Sequence, residues 1–347
     1  MTSTETIGWF ADIGLVDRPS VGGKGGSLGE LTRAGIAVPP GFVVRTAAFE
    51  RFIEALEASA PLRAEVEALD PSDLDAVTAC SKKLRARLEA SDMPDALRAE
   101  IAGAYAELAG ADRPVAVRSS ATTEDAEDAS FAGLQDTFLW VMGADEVLHR
   151  IRTCWASLYS VESLSYRLKH GLPETGVAMA VVVQTMVDAR TAGVMFTRSP
   201  LTGDRSVVAI EGSWGLGSSV VGGEVTPDRF VVSKITGEIS VRDISKKLIQ
   251  HVPAAAGGVD ELDVPTERQT IPCLSDEEIS ALTDTAKKVE RHYGRPQDIE
   301  WAVDQGGALM LLQSRPETVW SQKEAAPVAK PQADPLMHVL SIFGGKR

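Results

Sequence analysis

The chain has 347 residues, a formal net charge of −14, 44% apolar and 24% charged residues. This length exceeds what one hydrophobic core usually serves, so two or three packed subdomains are expected. The negative charge argues against nucleic acid and against an anionic membrane surface, both of which need a cationic face. An anionic nucleotide remains acceptable where a few cations and a metal converge. Cys80, Cys154 and Cys273 are far apart and in no metal-ligand spacing, which reads as reduced thiols. No basic and then apolar leader opens the chain, and no apolar run approaches a membrane span, so a cytoplasmic protein is expected.

Residues 1–45 alternate short apolar runs with Gly and Pro, a loop-rich beginning that leads into VPPGFVV, read as a strand start. Residues 46–109 are rich in Ala, Glu, Leu and Arg at helical spacing and form a helical block. PVAVRSS and DTFLWVMG follow as strands on either side of an acidic stretch, TTEDAEDAS. One long helix, EVLHRIRTCWASLYSVESLSYRLKHG, is expected next, closed by Gly171. VAMAVVVQTMV, AGVMFTRS and SVVAIEGSWG read as strands of a mixed sheet, with further strands over residues 228–252. The helix DEEISALTDTAKKVERHYG, with Ser275 as its N-cap, precedes a final hairpin ending at Pro316. SQKEAAPVAKPQADP is a linker and LMHVLSIFGGKR a short apolar tail. The chain is thus divided into a first lobe over residues 1–190, a second over residues 191–320, and a linker and tail over residues 321–347.

Five motifs carry chemistry. In VGGKGGSLGEL (residues 21–31) four glycines around Lys24 suit close approach to phosphate oxygens, though a glycine-rich turn capping a helix with Lys24 solvated satisfies the same residues. In VAVRSS, Arg118 ends an apolar strand, a rigid base from which a guanidinium binds phosphate in a bidentate manner. SFAGLQDT, with Gly133 and Thr137, could fold over phosphates; an ion pair of Arg118 with the acidic run is the structural alternative. VVVQTMV offers Gln184 and the Met186–Val187 backbone as a wall for a purine, or is a plain core strand. EGSWGLGSS, from Glu211, together with GGEVTPD reads as a glycine-dense loop crossing a cleft floor. The most informative motif is DIEWAVDQGGALMLLQSRP. A two-residue turn at Gly306-Gly307 places Trp301 opposite Leu312 and Val303 opposite Met310. On the other face it places Glu300 opposite Gln313 and Asp298 opposite Arg315. Two acids and an amide oxygen are suitable Mg²⁺ ligands when phosphates and water complete the shell, and the arginine suits a phosphoryl group in transfer; a plain Asp298–Arg315 ion pair is the alternative.

Together and in this order, the motifs resemble the nucleotide-binding domain of phosphoenolpyruvate synthase and its relatives, which include pyruvate phosphate dikinase, rifampicin phosphotransferase and phenylphosphate synthase. The resemblance spans roughly residues 8–318. It implies an α+β ATP-grasp fold in which two lobes clamp Mg-ATP, with the helical block inserted in the first. Lys24, Arg118 and Arg315 would contact phosphates, and Gly133 and Thr137 would lie in the loop over them. Gln184, Met186 and Val187 would line the adenine pocket, with Glu211 near the ribose. Glu300 and Gln313 would hold Mg²⁺ with Asp298 beside them. ISKKLIQ (residues 244–250) resembles the family's lysine-bearing strand, so Lys246 or Lys247 would face the cleft. His149, His170, His251, His292 and His338 do not sit in the family's phosphohistidine loop. The resemblance therefore implies an ATP-binding subunit that phosphorylates a histidine of a partner subunit. As in phenylphosphate synthase, that histidine would then serve an acceptor, phenol first and pyruvate next; a non-catalytic ATP-sensing subunit is the alternative.

Overall fold

The computed structural model describes residues 5–110, 113–122, 136–318 and 320. In chain order the first lobe holds β1 (Ile7–Trp9), α1 (Arg18–Arg33), β2 (Gly41–Val44), α2 (Thr46–Glu57), α3 (Arg63–Glu67), α4 (Leu74–Ala90) and α5 (Asp95–Ala109). It continues with β3 (Val115–Ala121), β4 (Thr137–Val141), α6 (Ala144–Ser157), α7 (Val161–Lys169) and β5 (Met179–Thr185). The second lobe holds β6 (Ala189–Phe196), β7 (Val207–Trp214), α8 (Ser218–Val221), β8 (Asp228–Ser233), β9 (Ile239–Asp243), β10 (Ile249–Pro253), β11 (Val259–Asp263), α9 (Asp276–Tyr293), β12 (Gln297–Asp304) and β13 (Leu309–Pro316). The first sheet has the order β1-β2-β5-β3-β4 and the second β13-β12-β6-β7-β8-β9. This two-sheet α+β architecture agrees with the ATP-grasp expectation.

Both sheets are antiparallel at every described strand pair, not mixed as the strand pattern suggested. The second runs β6 to β9 as a meander, a path that hairpins permit and parallel pairing does not. Two further expectations change. The glycine-rich segment is helical, forming most of α1, with a break at Gly22 (φ 71°). A Cβ there would lie 2.2 Å from the Ser120 carbonyl oxygen, so only glycine lets α1 rest against β3. The long helix before Gly171 is two helices, because Ser160 accepts from the Ser163 amide at 3.2 Å and caps α7 instead of continuing α6.

The helical block covers one face of the first sheet, where Phe42, Phe49, Phe52 and Trp155 are buried together. Phe52 and Trp155 stack at 5.2 Å, and the Trp155 indole N–H donates to the Met179 carbonyl at 3.1 Å. A second core lies between α9 and the second sheet and contains Met195, Ile210, Phe230 and Trp301. α9 begins as expected, with Ser275 and Glu278 forming a reciprocal capping box. Leu31 of α1 belongs to this second core, and the Ser27 hydroxyl donates to the Ser314 carbonyl at 2.6 Å. α1 therefore joins the lobes. The chain passes from the first sheet to the second between Thr185 and Ala189. The linker and tail over residues 321–347 lie outside the described residues, as does Gly133.

Candidate functional site

The two sheets enclose a cleft of about 1080 Å³. Lys24, Arg118, Thr137, Gln184, Met186, Val187, Glu211, Asp298, Glu300, Gln313 and Arg315 all line it. β3 is buried along nearly its whole length and carries Arg118, 8% exposed, to the cleft wall opposite Thr137 of β4. Lys24, 4% exposed, reaches the same wall from the part of α1 that follows the Gly22 break.

The β12–β13 hairpin supplies the acids. Its register differs from simple counting in two places that cancel. The Asp304 carboxylate accepts from the Gly306 and Ala308 amides, each at 2.8 Å, and the Asp304 amide donates to the Ala308 carbonyl. The loop is therefore three residues long, with Gly307 at φ 87°, instead of two. Trp301 then pairs with Leu311 and Val303 with Leu309, one residue off the expected partners. A bulge at Leu312 restores the offset, so that Glu300 pairs with Gln313 and Asp298 with Arg315 as expected.

That bulge has a chemical use. The Leu312 carbonyl accepts from Arg118 Nη1 at 3.0 Å. Arg118 Nη2 donates to Glu300 Oε2 at 2.9 Å and to Gln313 Oε1 at 2.6 Å. One cationic nitrogen thus stands where both oxygens converge, and oxygens so arranged fit a hard divalent cation. Arg118 Nε and Asp298 Oδ1 are buried and have no hydrogen-bond partner among the described residues. Burial pushes the Asp298 carboxyl up to about 6; Arg315, 3.6 Å away, opposes the shift and Glu317 adds to it.

The strand expected to serve as a purine wall is more constrained than the sequence suggested. Gln184 Nε2 donates to the Pro39 carbonyl at 3.2 Å, and the Met186 amide donates to the Pro114 carbonyl at 3.0 Å. Both donors already serve the fold. Val187, Ala192, Leu216 and Ala302 form an apolar cluster beside them. The lysine expectation needs correction as well. Lys247 is fully buried, with Nζ 2.6 Å from Asp228 Oδ1, and Lys246 is exposed; neither lines the cleft. The second Asp228 oxygen accepts from the Cys273 amide at 2.8 Å, so Asp228 anchors loops, while Pro227 beside it lines the cleft. Arg18, Ser218 and Thr318 line the cleft without having been singled out. Ser218 lay within the glycine-dense motif, whereas Arg18 and Thr318 carry no pattern that would mark them.

A family model described as pyruvate phosphate dikinase, AMP/ATP-binding domain, matches residues 18–335. The chain belongs to this family. A probable phosphoenolpyruvate synthase of Methanocaldococcus jannaschii is 40% identical over 94% of this chain and 28% of its own length. The phosphoenolpyruvate synthase of Aeropyrum pernix is 41% identical over 93% of this chain and 43% of its own. The chain thus spans less than half the length of these curated relatives. The solved structure of D-cycloserine synthetase DcsG overlaps 82% of this chain and 59% of that one, at 13% identity and a TM-score of 0.27, too low to carry an argument. The cleft is accordingly that of a dikinase-type ATP-binding domain. No described helix is long and apolar enough to cross a membrane.

Proposed function

We propose that the cleft binds Mg-ATP and directs a phosphoryl group to a histidine presented from outside the cleft. The convergence of Arg118 on Glu300 and Gln313 carries this reading, because it gathers a phosphate-binding cation and two metal-ligand oxygens at one point. Among the described residues no histidine lines the cleft, which is why the acceptor histidine is sought elsewhere. Lys24, Arg118 and Arg315 would orient the phosphates, and the apolar cluster around Val187 and Leu216 would hold the base. Glu300 and Gln313, with Asp298 beside them, would hold Mg²⁺, which neutralises phosphate charge when bound. The names of the relatives favour pyruvate over phenol as the final acceptor, the reverse of the order expected from the sequence.

The test supplies labelled ATP together with the histidine-bearing portion of a phosphoenolpyruvate synthase. Label on a histidine of that portion is expected. Normal Mg-ATP binding without such label would leave the alternative, a nucleotide-sensing module. Glu300→Gln separates the two: a catalyst loses on the order of 10²-fold or more in transfer, whereas a sensor retains its response.

A further inference from the structure

The β10–β11 hairpin belongs to neither sheet, yet it touches both lobes. At its tip the Gly258 amide donates to the Trp140 carbonyl of β4 at 3.0 Å. Val259 packs in the same apolar cluster as Trp140, Val187 and Leu216. Trp140 has φ 56°, a left-handed conformation that is uncommon for a bulky side chain. Along β10, His251 grips the glycine loop over residues 215–224 in three ways. Its carbonyl accepts the Leu216 amide at 2.8 Å. Its Nδ1 is 2.7 Å from the Ser218 hydroxyl, and its Nε2 is 2.9 Å from Glu224 Oε2. A neutral imidazole with its proton on Nε2 satisfies both side-chain contacts, donating to Glu224 while Ser218 donates to Nδ1. Leu216 and Ser218, at one end of this loop, line the cleft beside the apolar cluster.

We propose that His251 is a positioning residue of the nucleotide cleft. It fastens the glycine loop at Ser218 and Glu224 to a hairpin whose tip is anchored on the first lobe. The loop, whose Leu216 shares an apolar cluster with Val187, is thereby held beside the place proposed for the base. This rests on the nucleotide reading above, and the test separates the two. The dissociation constant of a non-hydrolysable ATP analogue is measured by calorimetry for the wild type, H251A, H251N and H251Q, each with its melting temperature. H251A is expected to bind about tenfold more weakly, because only part of the energy of the two lost hydrogen bonds, one neutral and one charge-assisted, is transmitted from the loop to the nucleotide. H251N keeps a polar group near the Nδ1 position for Ser218, and H251Q keeps one near the Nε2 position for Glu224. Each should recover part of the affinity, and they carry the test if H251A does not fold. A residue that only braces the hairpin would lower the melting temperature without changing the affinity of the folded protein. Wild-type affinity in all folded variants overturns the proposal. Absence of binding by the wild type overturns the nucleotide reading itself.

Discussion

Arg118 makes three contacts with one guanidinium: a main-chain oxygen exposed by a bulge, a carboxylate and an amide. A lysine ammonium lacks the planar fork that reaches all three, so the choice of arginine follows from geometry. Asp298 shows the opposite condition, an acid whose inner oxygen has no partner among the described residues. Its carboxyl is held up at about 6 against an ordinary value of 3.8, so between those pH values the folded chain keeps a proton that the unfolded chain has lost. Stability therefore falls as pH rises through that window, and above it the ionised group costs at most ~3 kcal/mol, about two units at ~1.4 kcal/mol each. Asp298→Asn should raise the melting temperature at pH 7.5 and leave it nearly unchanged at pH 4, in buffer free of metal and nucleotide. An equal gain at both pH values would contradict this account.

At the scale of elements, the hairpin is the informative case. Counting from Gly306-Gly307 reached the correct partners for Glu300 and Asp298 through two offsets that cancel, a longer loop and a bulge. Neither offset is legible in an apolar pattern, because the Asp304 carboxylate that closes the loop and the carbonyl freed at Leu312 act through the backbone. The strand pattern located β5, β6 and β7 well but could not tell antiparallel from mixed pairing, since apolar alternation records burial and not direction. Lys247, expected as one of two lysines that could face the cleft, is instead paired with Asp228 in a fully buried anchor between β8 and the segment leading to β10. Asp228→Asn or Lys247→Met alone should destabilise by about 3–5 kcal/mol, because each leaves its partner buried and uncompensated. The double substitution should cost much less than the sum of the two. Denaturant titration of the four proteins measures this, and strict additivity would show that the two groups do not act as a pair.

For the whole molecule, the decisive feature is that the lobes are not independent. Leu31 lies in the second core, Ser27 donates to the Ser314 carbonyl, and the Leu311 amide donates to the Ala37 carbonyl. A fragment of residues 189–318 should therefore lack a cooperative thermal transition. Covalent addition of residues 18–38 through a flexible linker should restore one. A cooperative transition in the bare fragment would show that α1 is dispensable to the second lobe.

The sequence by itself determined the motif set, the helical block and the capping of α9. Each of these depends on neighbours in the chain, so composition and spacing suffice. The tertiary structure alone decided that Arg118, from one sheet, meets Glu300 and Gln313, from the other. It also decided that Lys247 turns inward and that His251 holds the glycine loop. The Arg118 contacts join residues as much as 195 positions apart and are chosen by how two sheets pack across a cleft, while those of Lys247 and His251 depend on how loops pack beside the second sheet; no local pattern encodes either.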